Sequence, residues 1–392
     1  REIQGRNIIL LRRGMIMSFF LFAKQFVDML YPYQILDYLM VILVVILLVY
    51  QTALVRPDIR SHFGITDGII LLLGILLTIT LFRSQGGYQT YFKVMSAFLM
   101  YFVGRIYYDR IKECYSALTL ASYLIVYLNF GHRIWNFRGH LLQIKDAGGD
   151  WYYNDTDMAF AIVLAMVFIA MFAKNTIFKL ITIFLICPYM VFYSDAGIQM
   201  VLMIAVYVII GIYILELIIR NRKVTGVLLS IMVLGLLGIV VLVYAPVLGI
   251  GQQEGILNLF TGRFLDQGNM YSRYADWDQV LTRCRQEHLL TQVLGVGMGA
   301  EYSIQSLYLK IYYTLGYVGI GLSLLTIISI LYYVMRVEDR KTFYLAVIMA
   351  ILLLGSGVTV NSMESTQMSW FPMLFAGMVI SSVQAGEGER KC

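Results

Sequence analysis

The sequence predicts an all-α polytopic membrane protein, and three observations carry that prediction. Hydrophobic residues make up 59% of the chain and charged residues only 14%, against roughly a quarter charged in a soluble domain. Apolar stretches close to the roughly 20 residues that a helix needs to cross a bilayer recur along the whole length. The short polar links between them alternate, with Lys and Arg gathered in every second one.

Twelve windows read as spans: 14–31, 35–54, 65–82, 89–108, 113–130, 157–173, 177–193, 197–219, 225–248, 306–335, 342–360 and 367–383. The first is interrupted by Lys24 and Asp28. These stand four residues apart and pair if the segment is helical; the competing reading is a helix lying in the interface. With the N-terminus cytoplasmic, the inner links carry Arg56 and Arg60, then Arg105, Arg110 and Lys112, then Lys174 and Lys179, then Arg220, Arg222 and Lys223, then Arg336, Arg340 and Lys341. Both termini then fall inside by the positive-inside rule. Two long links, 131–156 and 249–305, fall outside, where translocation does not depend on charge. Residues 1–383 form one transmembrane domain, and 384–392 a polar cytoplasmic tail.

Composition excludes several function classes. The net charge of +6 is spread over short links rather than one face, so nucleic acid is not an expected partner. Cys114, Cys187, Cys284 and Cys392 lack metal-ligand spacing, so neither a disulfide framework nor a metal site is expected. The basic start, Arg1 to Arg13, has no apolar-then-small cleavage pattern of a signal peptide. Five prolines and 33 glycines fit long helices packed through small residues.

Function is therefore sought in the longer outer link. There Ser272 can cap a helix running to about Leu290. At about 100° per residue, Arg273, Trp277, Val280, Leu281, Cys284 and His288 share one face. An arginine on an apolar stripe, at a helix start with unpaired N–H groups, makes a site for a diphosphate. The simpler reading is that Arg273 pairs with Asp276 or Asp278 and pins the link. The turn Gly295-Val296-Gly297-Met298-Gly299 lets backbone approach a ligand or another helix closely. It is not a dinucleotide fingerprint, because no strand–helix unit surrounds it.

Arg273…Trp277, the GxGxG turn, and the run from Ser306 through Tyr308-Leu309-Lys310 to Leu315-Gly316-Tyr317-Val318-Gly319 together resemble the signature of the O-antigen polymerase/ligase superfamily. Asn154-Asp155-Thr156-Asp157 fits that family's outer Asn motif, and Ser194-Asp195-Ala196-Gly197 sits where it often has Ser-Arg-Gly-Gly. The layout matches from about residue 35 to 383, and the motifs cover only some 70 residues. Asp195 stands in place of an arginine, and Gln305-Ser306 in place of the ligases' His-Asn pair. Gln cannot take a proton, which favours a polymerase over a ligase.

The resemblance implies a GT-C-like glycosyltransferase. It would join undecaprenyl-diphosphate-linked oligosaccharide repeat units at the outer face of the bacterial inner membrane, using no metal, cofactor or nucleotide sugar. Membrane lipids surround it, and a polysaccharide chain-length regulator is an expected partner. A diphosphate leaving group requires positive donors where charge develops. Arg273 is the first candidate, then Arg263, then Arg133 and Arg138; Arg83 reads as snorkelling to headgroups. Trp277, Asn154 and Tyr308 complete the expected substrate-binding set. Asp195 and Glu301 are the candidates for the base that takes the acceptor proton. Competing classes are a ligase acting on lipid A or protein, and a transporter of lipid-linked glycans. A transporter would show internal repeats and mid-membrane charges, and only Lys24 and Asp28 fit that description.

Overall fold

The computed structural model describes residues 2–30, 34–55, 63–84, 87–141, 155–174, 176–194, 196–219, 222–244, 267–298 and 304–389. Among the described residues every regular element is helical. The chain runs through α1 (Glu2–Met29), α2 (Gln34–Val55), α3 (Ile65–Ser84), α4 (Tyr88–Ile106) and α5 (Tyr115–Leu141). Then follow α6 (Asp155–Phe172), α7 (177–193), α8 (Gly197–Ile219) and α9 (Arg222–Tyr244). The last group is α10 (Gln267–Gln286), α11 (Leu289–Leu294), α12 (Leu307–Arg336), α13 (Arg340–Ser356) and α14 (Thr366–Glu389).

Each of the twelve predicted windows has a helical centre. Five helices are long and apolar enough to cross a membrane by length and composition: α3, α5, α8, α12 and α14. Their outward residues agree, since Leu72, Ile75, Ile79 and Phe82 of α3 and Leu324, Leu325 and Ile328 of α12 are exposed. Apolar faces of this size have no place in water, so the protein is membrane-embedded.

The centre of the bundle is α14, packed most extensively against α4 and also against α13, α12 and α6. The α4–α14 crossing is close because both helices present glycine there. A Cβ on Gly104 would meet the Leu374 carbonyl, and one on Gly377 the Tyr101 carbonyl, both well inside contact distance. This is the small-residue packing that membrane helices use, where lipid supplies no hydrophobic drive between them. α6 is nearly all buried from Met158 to Ile169. α9 packs on α8 and keeps most of its described side chains exposed.

α1 belongs to this core and is not an interfacial helix. Met17, Phe20, Leu21 and Lys24 are buried, and Lys24 pairs with Asp28 as their spacing predicts. Its ammonium also donates to Thr366 Oγ1 at 3.0 Å and sits 4.4 Å from the Trp370 ring centre. A buried cation is tolerated only with such partners.

Two link boundaries differ from expectation. α5 runs to Leu141, so the first half of the 131–156 link is helix, and 142–154 lie outside the described residues. α14 continues to Glu389, carrying most of the predicted tail as helix; residues 384–389 hold no proline, so nothing there stops the helix.

Candidate functional site

Helix α10 starts at Gln267 and stops at Gln286, so Ser272 lies inside it and does not cap it. The backbone turns extended at His288, which ends α10 before the predicted Leu290. Gln292 closes that end, its side-chain amide donating to the carbonyls of Arg285 at 3.2 Å and Glu287 at 2.9 Å. Helix ends leave such carbonyls unsatisfied, and a side-chain donor supplies the partner.

The stripe itself is where the spacing puts it. Trp277, Val280 and Cys284 are buried against Ile304, Leu309, Tyr313 and Val358, with Tyr308 and Tyr312 packed at the edge. His288, at the far end of the predicted face, is exposed. Burial pushes the Cys284 thiol up to about 11, with Glu287 adding to the rise and Arg283 opposing it. That thiol is protonated near neutrality and is no nucleophile.

Arg273 is half-buried at the N-terminal side of this stripe. Its Nη1 donates to the Thr359 carbonyl at 2.9 Å, while Asp276 and Asp278 are exposed. The simpler reading of Arg273 as the partner of those aspartates is therefore overturned. An exposed aspartate is already solvated, whereas the buried carbonyl needs a donor. Burial pulls the guanidinium below its ordinary value, yet an arginine remains charged in proteins.

The GxGxG turn and the end of the Tyr-rich half-helix form a clasp. α12 breaks at Gly316, which has φ 63° and ψ −159°. The break frees the Tyr313 carbonyl, which accepts from Val296 N at 2.7 Å. Gly295 has φ 81°, and a Cβ there would run into the Thr314 carbonyl; one on Gly316 would run into the backbone of Gln292 and Gly295. At Gly295 the turn thus packs directly against the α12 backbone, and at Gly297 against the end of α3. Arg83 is exposed and donates to Thr291 Oγ1 at 3.2 Å, which links α11 to α3.

Behind the clasp lies a cavity of about 140 Å³ between α3, α4, α12 and the 357–365 turn. Its walls are apolar, with Leu73, Leu77, Val94, Phe98, Ile311, Ile327 and Ile330 among them. Its polar lining is Thr90, Lys310, Thr314, Ser323, Thr326, Asn361 and Glu364. Thr314 is only 3% exposed, yet its Oγ1 has no hydrogen-bond partner among the described residues, and neither have Asn361 Nδ2 and Glu364 Oε1. Lys310 Nζ stands 3.4 Å from Glu364 Oε1.

The 357–365 turn holds these groups in place. Thr359 N and Val360 N donate to Ser356 O at 3.3 and 3.0 Å, and Glu364 N to Asn361 O at 3.0 Å. Leu307 N ties the start of α12 to Gly357 O at 2.8 Å, and Tyr308 OH donates to Leu354 O at 2.7 Å. Arg273 grips the same turn through Thr359.

The structure therefore brings Arg273, Trp277 and Tyr308 together. Arg133 rises on α5, which packs against α1 and α6 rather than α10; the Arg138 side chain lies outside the described part. Asp195, Glu301, Arg263 and Asn154 lie outside the described residues. Sequence reasoning missed Asn361, Glu364 and Thr314. The signal was the polar run Thr359–Gln367 between two apolar windows, and Lys310 within an apolar one. Among the described residues no three His, Cys, Asp or Glu side chains gather as a metal site. Compared with known proteins, the chain matches no family model and no curated sequence.

Proposed function

We propose that this protein is a polysaccharide polymerase of the membrane. It joins undecaprenyl-diphosphate-linked repeat units by glycosyl transfer at the outer face of a bacterial inner membrane. In this reading all twelve windows cross the bilayer, both termini are cytoplasmic, and α10 and α11 stand outside as the substrate cap.

The observation that carries the proposal is the apolar cavity with Lys310 at its polar lining, beside the turn that Arg273 grips. A lipid diphosphate needs both halves of such a site. A cavity of this size takes up a molecule about as large as benzene, so roughly the first isoprene unit fits and the rest of the tail runs into lipid. Lys310 and Arg273 supply positive charge where the leaving diphosphate becomes more negative. Trp277 and Tyr308 hold α10 on the site, and Tyr faces at its edge suit sugar rings as well as packing.

The test is purified protein with a lipid-diphosphate-linked repeat unit and no nucleotide sugar, read by gel. A ladder of products that vanishes in Arg273→Ala is the expected result. Transfer to added lipid A instead of a ladder would make the protein a ligase. Neither product, with a substrate shown to be competent, would leave a transporter as the better reading.

A further inference from the structure

We infer that Glu364 is the group that takes the proton from the acceptor hydroxyl, an inference that rests on the polymerase reading. Glycosyl transfer needs such a group, and it must reach the hydroxyl within hydrogen-bond distance. Glu364 lines the cavity, and its Oε1 is shielded from bulk water while accepting no hydrogen bond among the described residues. Lys310 faces this oxygen as a counter-charge, but among the described residues no group donates a hydrogen bond to it, so a hydroxyl donor can be accommodated there.

Three neighbours fit the role. Lys310 Nζ, 3.4 Å away, balances the carboxylate charge without using its lone pair in a hydrogen bond. Thr314 Oγ1 and Asn361 Nδ2 have no hydrogen-bond partner among the described residues, and both residues line the same cavity. They give a hydroxyl and an amide donor to orient a sugar or a diphosphate oxygen. The turn from Asn361 to Glu364 is closed by its own backbone bond, so the carboxylate comes from a fixed base, as preorganised catalysis requires.

The step balances as follows. The acceptor oxygen forms a bond to the anomeric carbon of the donor glycan. The bond from that carbon to the diphosphate oxygen breaks, and its electron pair leaves with the diphosphate. The hydroxyl proton passes to Glu364, and then to solvent or the departing diphosphate. No oxidant or reductant is involved.

The experiment uses the full chain in detergent or nanodiscs with the lipid-diphosphate-linked repeat unit. Glu364→Gln keeps the shape and is expected to lower kcat about 10²- to 10⁴-fold, with KM changed less than about threefold. Glu364→Ala is expected to regain activity when formate is added, because a small carboxylate can occupy the vacated space. A merely structural role would not respond to formate. A Glu364→Gln variant that keeps more than half of wild-type kcat overturns the inference, as does a folded Glu364→Ala variant that formate does not rescue. Should both variants misfold, the wild-type protein decides. A hydrophobic carbodiimide should then inactivate it by labelling Glu364, with protection by undecaprenyl diphosphate; inactivation without label at Glu364 overturns the inference. A wild-type chain that makes no ladder sinks the polymerase reading itself, whereas an active wild type with an active Glu364→Gln sinks only the role of Glu364.

Discussion

Two ion pairs, one buried and one partly exposed, stand at opposite ends of the α3–α12 contact, and they are built differently. At one end Asp67 uses both oxygens. Oδ1 accepts from Tyr101 OH at 2.7 Å and Arg105 Nε at 2.9 Å, and Oδ2 from Arg105 Nη2 at 2.8 Å and Gly64 N at 2.7 Å. Arg105 then donates to Ser381 Oγ at 2.8 Å. At the other end Glu364 and Lys310 stand 3.4 Å apart and line a cavity, and among the described residues Glu364 Oε1 accepts no hydrogen bond. A filled network rigidifies a bundle. A half-filled one, placed beside a cavity, costs stability that only a ligand returns. The first pair is read as architecture and the second as a site.

That contrast can be broken from either side. The largest loss of stability is expected from Asp67→Ala, about 3–5 kcal/mol, because Arg105 is left buried without its counter-charge. Replacing both Asp67 and Arg105 by leucine should recover much of that loss; thermal unfolding in detergent measures both. Trp277→Ala comes next, at about 3 kcal/mol. It should free α10 while the bundle holds, which limited proteolysis detects as cleavage confined to the outer segment. Arg273→Ala should cost about 1–2 kcal/mol, since a charged hydrogen bond to Thr359 is lost, yet abolish the polymer ladder. Lys there should restore little, because an ammonium cannot present a fork to two oxygens. The smallest stability effect, under about 1 kcal/mol, belongs to Lys310→Met, whose pair is partly exposed. Its polymerisation rate should nonetheless fall at least about tenfold. If stability and activity instead fall together across this series, the distinction between the two pairs is wrong.

Much of the bundle was legible in the sequence, because bilayer thickness imposes one length on every apolar window. The pairing of Lys24 with Asp28 was legible too, since helical spacing alone brings them together. The stripe of Trp277, Val280 and Cys284 followed from periodicity. The partner of Arg273 did not, because a backbone carbonyl 86 residues away leaves no mark on local sequence. The cavity was illegible for the same reason. Its polar groups come from Lys310, Thr314, Asn361 and Glu364, and nothing local in Thr359–Gln367 separates a site from an ordinary polar link. The start of α10 differs from expectation because the helix runs on through Gln267–Tyr271 ahead of Ser272, so a good cap residue lies in its second turn.

The clasp between Gly295 and Gly316 has a consequence for how this chain can change over time. Each glycine is required by the backbone of the other's segment: a side chain on Gly295 strikes Thr314, and one on Gly316 strikes Gly295. Each also has a positive φ, 81° at Gly295 and 63° at Gly316, so a side chain at either is strained even without the clash. Replacing one glycine leaves the backbone that the other must avoid, so the two constraints do not release each other. In any set of descendants of this sequence both positions should therefore stay glycine together.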